Sequence, residues 1–579
     1  MKIAENTRTV LLCAALVFCA ALAAHAPALS DSLLWDDAAL LAPGSFAATC
    51  GSLPAAVNPA NLIKVLPVAM SARPVVNISL IADACSGAGA RGLRLTNLLL
   101  HSFNGVLLFF LVLTLSGSIF PALAGALLFA VHPAAAEAVN IAVFRSHLLG
   151  FFFFTCALLA AIYYARKPMI SLALAASACA LLGMLSVETA VVLPAAALAA
   201  VYFDSGPPGM KRFLRLLAAL LLAAAFYAWF RAPRSGYEIE GVSKPGMQTP
   251  SRLYPPALLS GGRPEKHRSI SITPWRRVYA DRKTNLYTMS AVAAGYAADM
   301  VFPLNLNTDY NPKVITSARN AALPLLFALG LPALGAWLLY KRRLSGLGIV
   351  LAVIAVAPAL NLFPIYNLKA DRYLYLPLAG AAIVAAALLR GLPGRKAAGT
   401  AAAVVCIGAL GALTILRAPS FRDDLSFFSE AVRRAPGIPR ARANLSAALL
   451  RAGDCGGAAA EAAQASCLDT GNPQMRLRLA YTLAACGRAP EALPVALQAL
   501  QASPGSADAL YLAGLLRLKK DRGAGQALLE KALAANPSHR EARLTLAMLD
   551  KKIAGELSPG ERTELTALAA FYREAGLFF

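Results

Sequence analysis

The chain has 579 residues, of which 58% are hydrophobic and 15% charged, and its mean hydropathy is +0.58. Soluble domains carry about 25% charged residues, so the composition excludes a wholly soluble protein. The net charge of +23 is accounted for by Lys and Arg at the ends of membrane segments, and we expect no nucleic acid as a partner.

Long apolar runs recur from the N-terminus to residue 416 and are typical of transmembrane helices. They predict eleven spans, at residues 9–29, 92–116, 118–133, 147–165, 169–186, 188–203, 213–230, 321–340, 346–364, 373–390 and 398–416. The first run resembles a signal peptide, with Lys2 and Arg8 ahead of it. We interpret it as a retained span because candidate catalytic residues follow it closely.

Basic residues recur in the short loops on one side of these spans. They are Arg166-Lys167, Lys211-Arg212, Lys341-Arg342-Arg343 and Arg395-Lys396. Short basic loops are cytoplasmic, so an odd number of spans places the C-terminal tail outside the cytoplasm. The Ala-rich composition with short loops is typical of bacterial proteins. We therefore expect a bacterial inner-membrane protein with its active site and tail facing the periplasm.

The first extracytoplasmic loop, residues 30–91, contains two adjacent acids directly after a tryptophan: Trp35, Asp36 and Asp37. Carboxylates at a membrane surface are costly when dehydrated. These two are therefore either solvated or functional.

Two of the ten cysteines, Cys50 and Cys85, lie in this first loop. They would form a disulfide if the loop faces an oxidising compartment. No CxxC pair occurs in the sequence, and we expect no metal site.

The second span carries a polar stripe. Asn97, His101 and Asn104 are spaced i, i+4 and i+7, so they share one helix face. A polar stripe within a span faces the bundle interior or a cavity. It serves either hydrogen bonding between helices or a site.

Further polar residues lie at the outer ends of other spans. His132 precedes Pro133 and is followed by Glu137, which is spaced to pair with Arg145. Glu188 lies at the same outer surface. The convergence of these groups on one side of the membrane predicts an active site at the boundary between membrane and water.

A long extracytoplasmic loop, residues 231–320, is strongly basic at its start and contains an apolar segment at 285–303. Tyr287, Tyr296 and Asp299 interrupt that segment. We therefore predict a helix that lies on the outer membrane surface rather than a twelfth span. The basic part of the loop would suit anionic lipid or sugar phosphate.

The late segment around Arg372 combines a positive charge with tyrosines, among them Tyr375. Arginine offers phosphate oxygens a planar fork of donors. The tyrosines either belong to this phosphate site or form an ordinary aromatic belt.

The tail, residues 420–579, shows a repeat. Pro436 and Pro504 are two periods of about 34 residues apart, and Pro537 follows one period later. Ala-, Leu- and Gly-rich helical patterns lie between them. This period is typical of tetratricopeptide repeats, in which paired helices stack into an α-solenoid. An unrelated bundle of helical hairpins is the alternative. Residues 558–579 would form a capping helix.

Taken together, these motifs resemble those of the transmembrane and tetratricopeptide-repeat O-mannosyltransferases, a branch of the integral-membrane C-type glycosyltransferases. The residues that carry the resemblance are Trp35-Asp36-Asp37, Arg73-Pro74, Asn97 with His101, His132-Pro133 with Glu137-Ala138-Val139 and Arg145, Leu185-Ser186 with Glu188, and Asp371-Arg372-Tyr373-Leu374-Tyr375-Leu376-Pro377. The family usually has Lys where this chain has Val187.

The resemblance covers most of the chain, and with the residue patterns it gives one overall expectation. The protein is all-α, with a polytopic transmembrane helical bundle at residues 1–419 and an extracytoplasmic tetratricopeptide-repeat α-solenoid at residues 420–579. The bundle would be a glycosyltransferase domain, and the repeats would hold an acceptor protein.

The family implies inverting transfer of a sugar from a polyprenyl-phosphate donor to a protein hydroxyl, with undecaprenyl as the bacterial lipid. Asp36 or Asp37 would be the general base. Arg372, with Arg73 and Arg145 behind it, would bind the donor phosphate. The residues that would shape the site are His132, Glu137, His101, Asn97, Glu188 and Tyr375.

The lipid-linked sugar phosphate is the donor substrate in this interpretation, and we name no cofactor beyond it. The expected partners are the donor lipid, an acceptor protein or peptide and membrane lipid. One alternative is a non-catalytic membrane scaffold whose repeats serve envelope assembly. Another is a transporter or flippase for an anionic lipid.

Overall fold

A computed structural model describes residues 4–37, 41, 45–58, 73–231, 278, 281–362, 367–391, 396–537, 539–555 and 557–574. The basic part of the predicted loop 231–320 lies almost wholly outside these residues. Within them every regular element is a helix, which confirms the all-α prediction. The chain divides into two compact units, the second of which begins at Phe427.

The first unit is a bundle of long apolar helices. In chain order its α-helices are α1 (Ala4–His25), α2 (Leu53–Val57), α3 (Pro74–Cys85), α4 (Ala90–Ser116), α5 (Ile119–Ala130), α6 (Ala136–Asn140), α7 (Arg145–Arg166), α8 (Ile170–Met184), α9 (Leu193–Arg231), α10 (Arg282–Val301), α11 (Ala318–Tyr340), α12 (Leu344–Val356), α13 (Pro377–Arg390) and α14 (Lys396–Arg417).

Among the described residues of this unit, six helical segments are long and apolar enough to cross a membrane, or seven if the bent pair α5 and α6 counts as one. The chain is therefore a multi-pass integral membrane protein. All eleven predicted spans fall on helices, but α8, α12 and α13 are shorter apolar helices. The predicted spans 188–203 and 213–230 lie on either side of a break at Gly206 within one long helical segment. A count of eleven is therefore not established.

Two breaks in the helices have local causes. The axes of the helical segments on either side of the His132-Pro133 step differ by 47°. Helix α9 is interrupted at Gly206, which has φ of +58° and precedes Pro207 and Pro208. A Cβ at this glycine would contact the guanidinium of Arg342, which can move aside, so it is the backbone conformation that favours glycine here.

The first and last membrane helices of the unit are joined by Arg94, which is almost fully buried in α4. Its guanidinium donates to the carbonyl oxygens of Ala28 (2.9 Å), Phe421 (2.7 Å) and Ser32 (2.5 Å). Three carbonyl dipoles thereby compensate a buried charge that would otherwise be costly. The clamp fixes the loop that starts after α1.

The predicted disulfide of the first loop is present. Cys50 and Cys85 are joined with an S–S distance of 2.05 Å, which ties a short turn to the end of α3. The segment predicted as a surface helix at 285–303 is helix α10. Its buried side chains include Tyr296 and Asp299, so its polar residues face protein.

The second unit consists of antiparallel helix pairs. After α15 (Asp424–Arg434), which crosses into this unit, its helices are α16 (Pro439–Arg451), α17 (Cys455–Leu468), α18 (Pro473–Ala485), α19 (Ala489–Ala502), α20 (Ala507–Leu518), α21 (Arg522–Ala535), α22 (Arg540–Leu549), α23 (Lys551–Gly555) and α24 (Pro559–Glu574).

Helices α16 and α17, α18 and α19, and α20 and α21 pack as successive pairs, and each pair packs on the next. Small residues allow the close approach, since a Cβ at Gly514 would lie 3.0 Å from the carbonyl oxygen of Gly525 in the partner helix. A second disulfide, Cys455–Cys486, ties the start of α17 to the end of α18. This is the stacked-hairpin architecture that the sequence period predicted.

Candidate functional site

The two adjacent acids of the first loop lie in a tight turn directly after Trp35. Trp35 has φ of +45°, which is strained for a bulky residue. Its backbone N–H donates to Oδ1 of Asp424 at 2.7 Å, and this bond holds the strained turn. Strained residues of this kind concentrate at functional sites.

Asp37 is fully buried, and both of its oxygens are engaged. They accept the backbone N–H groups of Ala142 (2.9 Å) and Val143 (2.8 Å). Burial raises the pKa of Asp37 to about 7, although these two N–H donors oppose the shift. Asp37 therefore fixes the turn before α7, and its geometry does not suit the predicted role of general base.

Asp36 is partly exposed, unlike its neighbour. Its charge acts on the guanidinium of Arg372. Of the two predicted base candidates, Asp36 is thus the one whose side chain is partly exposed.

Arg372 lies in a short 3-10 turn, Asp371–Leu374. Its Nη1 and its backbone N–H donate to the two oxygens of Glu137, at 2.5 Å and 2.7 Å. Burial lowers the pKa of Arg372, but Glu137, Tyr373 and Asp36 together outweigh burial, so the pKa is raised overall. The arginine is a permanent cation.

Aromatic rings surround this cation. The guanidinium carbon of Arg372 lies 4.4 Å from the ring centroid of Phe144, 5.1 Å from that of Tyr373 and 5.8 Å from that of Trp35. Cation–π contacts of this kind hold a guanidinium in place while leaving its edge available to hydrogen-bond acceptors.

A second ion pair joins Arg73 at the start of α3 to Glu188. Arg73 donates from Nη2 to one carboxylate oxygen at 2.8 Å and from Nε to the other at 3.2 Å. Its Nη1 reaches Oγ of Ser146 at 3.3 Å. Burial lowers the pKa of Arg73, but the charge and the hydrogen bonds of Glu188, together with nearby tyrosines, raise it overall. Glu188 is thus paired with a buried cation, Arg73.

His147 was not among the predicted site residues, yet it lies between the two ion pairs. The charges of Arg73, Arg372 and Glu188 all act on it. Its ring centroid is 6.1 Å from that of Tyr373. A sequence signal existed, because His147 is a polar residue two positions after Arg145 at the start of an apolar run.

The hydrogen-bond partners of Arg145 differ from those predicted. Its side chain is fully buried, and it donates to Asp83 (2.5 Å), Asn97 (2.7 Å) and both oxygens of Ser79 (2.9 Å and 3.1 Å). The expected pair with Glu137 is wrong, since Arg372 takes that carboxylate. Arg145 has the bonding of a structural residue, and its proposed role in phosphate binding receives no support.

The polar stripe of α4 faces the bundle interior, as its spacing predicted. Asn97 donates to the carbonyl oxygen of Ile141 at 3.1 Å. His101 contacts the Tyr375 hydroxyl at 2.8 Å, and Asn104 donates to the same hydroxyl at 3.1 Å. The hydrogen-bonding alternative therefore holds for the stripe, and Tyr375 belongs to this buried network rather than to an aromatic belt.

His132 also has a structural role. Its Nδ1 accepts the backbone N–H of Ala134 at 3.2 Å, and its Nε2 lies 3.2 Å from the carbonyl oxygen of Met300 at the end of α10. These bonds fix the bend between α5 and α6. Glu137, five residues later, is thereby aimed at Arg372.

The turn that carries Arg372 is held from its other side as well. Asp371 accepts a hydrogen bond from the Tyr310 hydroxyl and one from Arg417, the latter at 2.6 Å. Lys369 pairs with Asp299 at 2.6 Å. The part of the chain that the structure describes contains no group of three or more His, Cys, Asp or Glu suited to a metal ion.

Comparison with known proteins gives little beyond this geometry. No protein-family model matches the chain, and no curated protein matches it. A solved structure named MamA RS-1 ArsTM double mutant is similar to the C-terminal region of this chain. The match covers 26% of this chain and 84% of the solved one. The sequence identity is 21% and the TM-score 0.20.

Proposed function

We propose that the protein is a glycosyltransferase that moves a sugar from a polyprenyl-phosphate donor to a hydroxyl of an acceptor, protein Ser or Thr in the first instance. The observation that carries the proposal is the partly exposed carboxylate of Asp36 beside the aromatic-lined cation Arg372. The type of reaction is inferred from the O-mannosyltransferases, whose motifs those of this chain resemble.

In this mechanism Asp36 takes the proton of the acceptor hydroxyl while that oxygen attacks the anomeric carbon. The bond from the anomeric carbon to the phosphate oxygen breaks, and its electron pair leaves with the phosphate. Attack opposite the leaving group inverts the anomeric configuration. Asp37 does not exchange the proton and instead positions the turn.

The leaving phosphate gains one negative charge as it departs, so cations beside it lower the barrier. Arg372 and Arg73 supply these charges, each oriented by a carboxylate, Glu137 and Glu188. His147 between them would contact the same phosphate or the sugar. Arg145 is left out of the reaction because its donors are already used.

The orientation in the proposal has two supports. Short basic loops favour one side as cytoplasmic, and eleven spans would then place the tail on the opposite side. The disulfides Cys50–Cys85 and Cys455–Cys486 favour an oxidising compartment for the first loop and for the repeats. We therefore propose that both face the periplasm, where tetratricopeptide repeats would present the acceptor.

The test is a transfer assay on the purified full-length protein in liposomes, with a panel of undecaprenyl-phosphate sugars and Ser/Thr peptides. We expect Asp36→Asn to lower the transfer rate by about 10²–10⁴-fold, the usual contribution of a general base. Asp31→Asn, an exposed acid five residues earlier in the same loop, is the matched control and should behave like the wild type.

Full activity of the Asp36→Asn variant would remove the base assignment. If the wild type transfers none of the sugars while the Asp36→Asn variant still supports normal envelope assembly in cells, the scaffold alternative replaces the enzyme. Uptake or flipping of the donor lipid without sugar transfer would instead favour a transporter.

A further inference from the structure

Several helix ends meet at the end of the first unit that lies opposite the candidate site. They are the end of α7 at Arg166, the break of α9 at Gly206 and the turn between α11 and α12 at Arg342. Helix α7 begins at Arg145, close to the candidate site, and its 22 residues rise by about 1.5 Å each. These helix ends therefore lie about 30 Å from Arg145.

Hydrogen bonds tie these helix ends together. Arg166 donates from Nε to one oxygen of Asp204 at 2.9 Å and from Nη2 to the other at 2.5 Å. Nη1 of Arg212 donates to the carbonyl oxygen of Arg166 at 2.7 Å. Nη2 of Arg342 donates to the carbonyl oxygen of Tyr202, also at 2.7 Å. The donors of these three arginines are therefore used to hold the fold.

The helix ends carry a large excess of positive charge. Residues 166–167, 204–215 and 341–343, here called the basic junction, contain eight Lys or Arg and one Asp. Four of the cations are exposed and have no side-chain hydrogen bond or ion pair within the part of the chain that the structure describes: Lys167, Lys211, Arg215 and Arg343. Such a surface favours an anionic ligand.

Two of these cations lie on a face of α9 that also carries an exposed leucine. Lys211 and Arg215 are one turn apart, and Leu222 follows seven residues later, so the three side chains share one side of the helix. Leu222 is 70% exposed, as expected of a side chain that contacts lipid. A cation on such a surface needs an anionic partner or a path to the headgroups, and lipid phosphate supplies both.

Chain orientation and helix stability do not account for this pair. Basic residues in short loops orient a membrane protein, but they need not align on a lipid-facing side of a helix. The second half of α9 starts at Pro207, and its first nine residues contain three cations and no acid. The positive end of the helix dipole disfavours cations there, so a bound anion relieves the repulsion.

We propose that Lys211 and Arg215 bind the phosphate of an anionic phospholipid whose acyl chains lie along the exposed side chains of Leu214 and Leu222. The lipid offsets the excess charge of the basic junction and so stabilises the break in α9. Because the junction lies at the far end of α7 from Arg145, this lipid is not the sugar donor. The inference does not depend on sugar transfer.

The test is lipid binding to the delipidated full-length protein in a non-ionic detergent, measured by native mass spectrometry. Phosphatidylglycerol and phosphatidylcholine are titrated in parallel, and the thermal unfolding midpoint is followed in the same samples. We expect phosphatidylglycerol to bind saturably, to raise the midpoint and to bind more weakly as salt is raised. Phosphatidylcholine, whose headgroup has no net charge, should neither bind saturably nor raise the midpoint.

Charge variants separate the lipid site from the fold. Lys211→Gln/Arg215→Gln should weaken phosphatidylglycerol binding by about thirtyfold, since each cation near an anionic headgroup contributes about fivefold. Its midpoint without lipid should match that of the wild type, because both side chains are exposed. Arg215→Lys keeps the charge and should keep most of the affinity.

The matched control is Lys313→Gln/Arg319→Gln. It removes two cations that are also exposed and that lie at the other end of α11 from Arg342. This variant should bind phosphatidylglycerol like the wild type, and a loss equal to that of Lys211→Gln/Arg215→Gln would overturn the proposal.

Equal binding of the two lipids, or full affinity of Lys211→Gln/Arg215→Gln, would also overturn it. Glycerophosphoglycerol, the headgroup without acyl chains, distinguishes a lipid from a soluble phosphate. If it displaces phosphatidylglycerol at an equal concentration, a soluble anion is the ligand and the proposal is wrong. None of these outcomes bears on Asp36, so the transfer assay remains an independent test.

Discussion

The two units of the molecule differ in how far apart in sequence the partners of their polar side chains lie. In the membrane unit the partners are distant in sequence: Arg372 reaches Glu137 across 235 residues and Asp37 reaches Val143 across 106. In the repeat unit they are near, as in Asn444 with Arg478 across 34 residues. Polar contacts in the first unit depend on the whole bundle, whereas in the second they depend on neighbouring repeats.

The comparison is tested most strongly by Arg145. Arg145→Gln leaves the Asp83 carboxylate without its cation inside the membrane unit, and breaking a buried pair costs about 3–5 kcal/mol. We expect a clear drop in the thermal unfolding midpoint, measured by intrinsic fluorescence in detergent. Arg488→Gln in the repeat unit breaks an exposed ion pair with Glu491 and should leave the midpoint unchanged. Similar effects of the two variants would contradict the distinction.

In the repeat unit, the largest loss of stability is expected on removing the disulfide Cys455–Cys486, which closes a loop across 31 residues. Loop-closure entropy for that length corresponds to about 3–4 kcal/mol. The double variant Cys455→Ser/Cys486→Ser should make the repeats more sensitive to protease at lower temperature, while the membrane helices stay protected. Replacement of the unpaired Cys467 by Ser serves as the control.

A pH dependence of stability is expected from Asp37. Its pKa in the folded protein is raised to about 7 from the usual 3.8, so the folded state holds a proton that the unfolded state loses. Stability from this group is present below pH 4 and falls as the pH rises toward 7. The unfolding midpoint should fall over this window, and less steeply in Asp37→Asn. An identical pH slope in both proteins would contradict the assignment.

The features that could be predicted from sequence are likewise those that depend on residues near one another in the chain. Apolar runs located the six long apolar segments, and the proline period located the helix pairs, because both signals are local. The choice of partner was not local. Glu137 and Arg145 had a plausible spacing, yet Glu137 pairs with Arg372 and Arg145 with Asp83, and only the packed bundle decides this.

The site residues show the same limit. In the sequence, Asp36 and Asp37 were equal candidates for the general base. Only the position of the turn against Ala142 and Val143 distinguishes them. His147 was missed because a single histidine in an apolar run has no motif. The second disulfide was missed because Cys455 and Cys486 lie in different helices whose pairing depends on the stack.

The Arg94 clamp has a consequence for biogenesis. Arg94 is made early, but one of its acceptors, the Phe421 carbonyl, comes 327 residues later. At a synthesis rate of about 5–20 residues per second this is a wait of roughly 16–65 s. During that interval a charged helix end must be tolerated by the translocation machinery or by lipid headgroups. A nascent chain released before Phe421 would leave this arginine short of an acceptor and would be a natural substrate for membrane quality control.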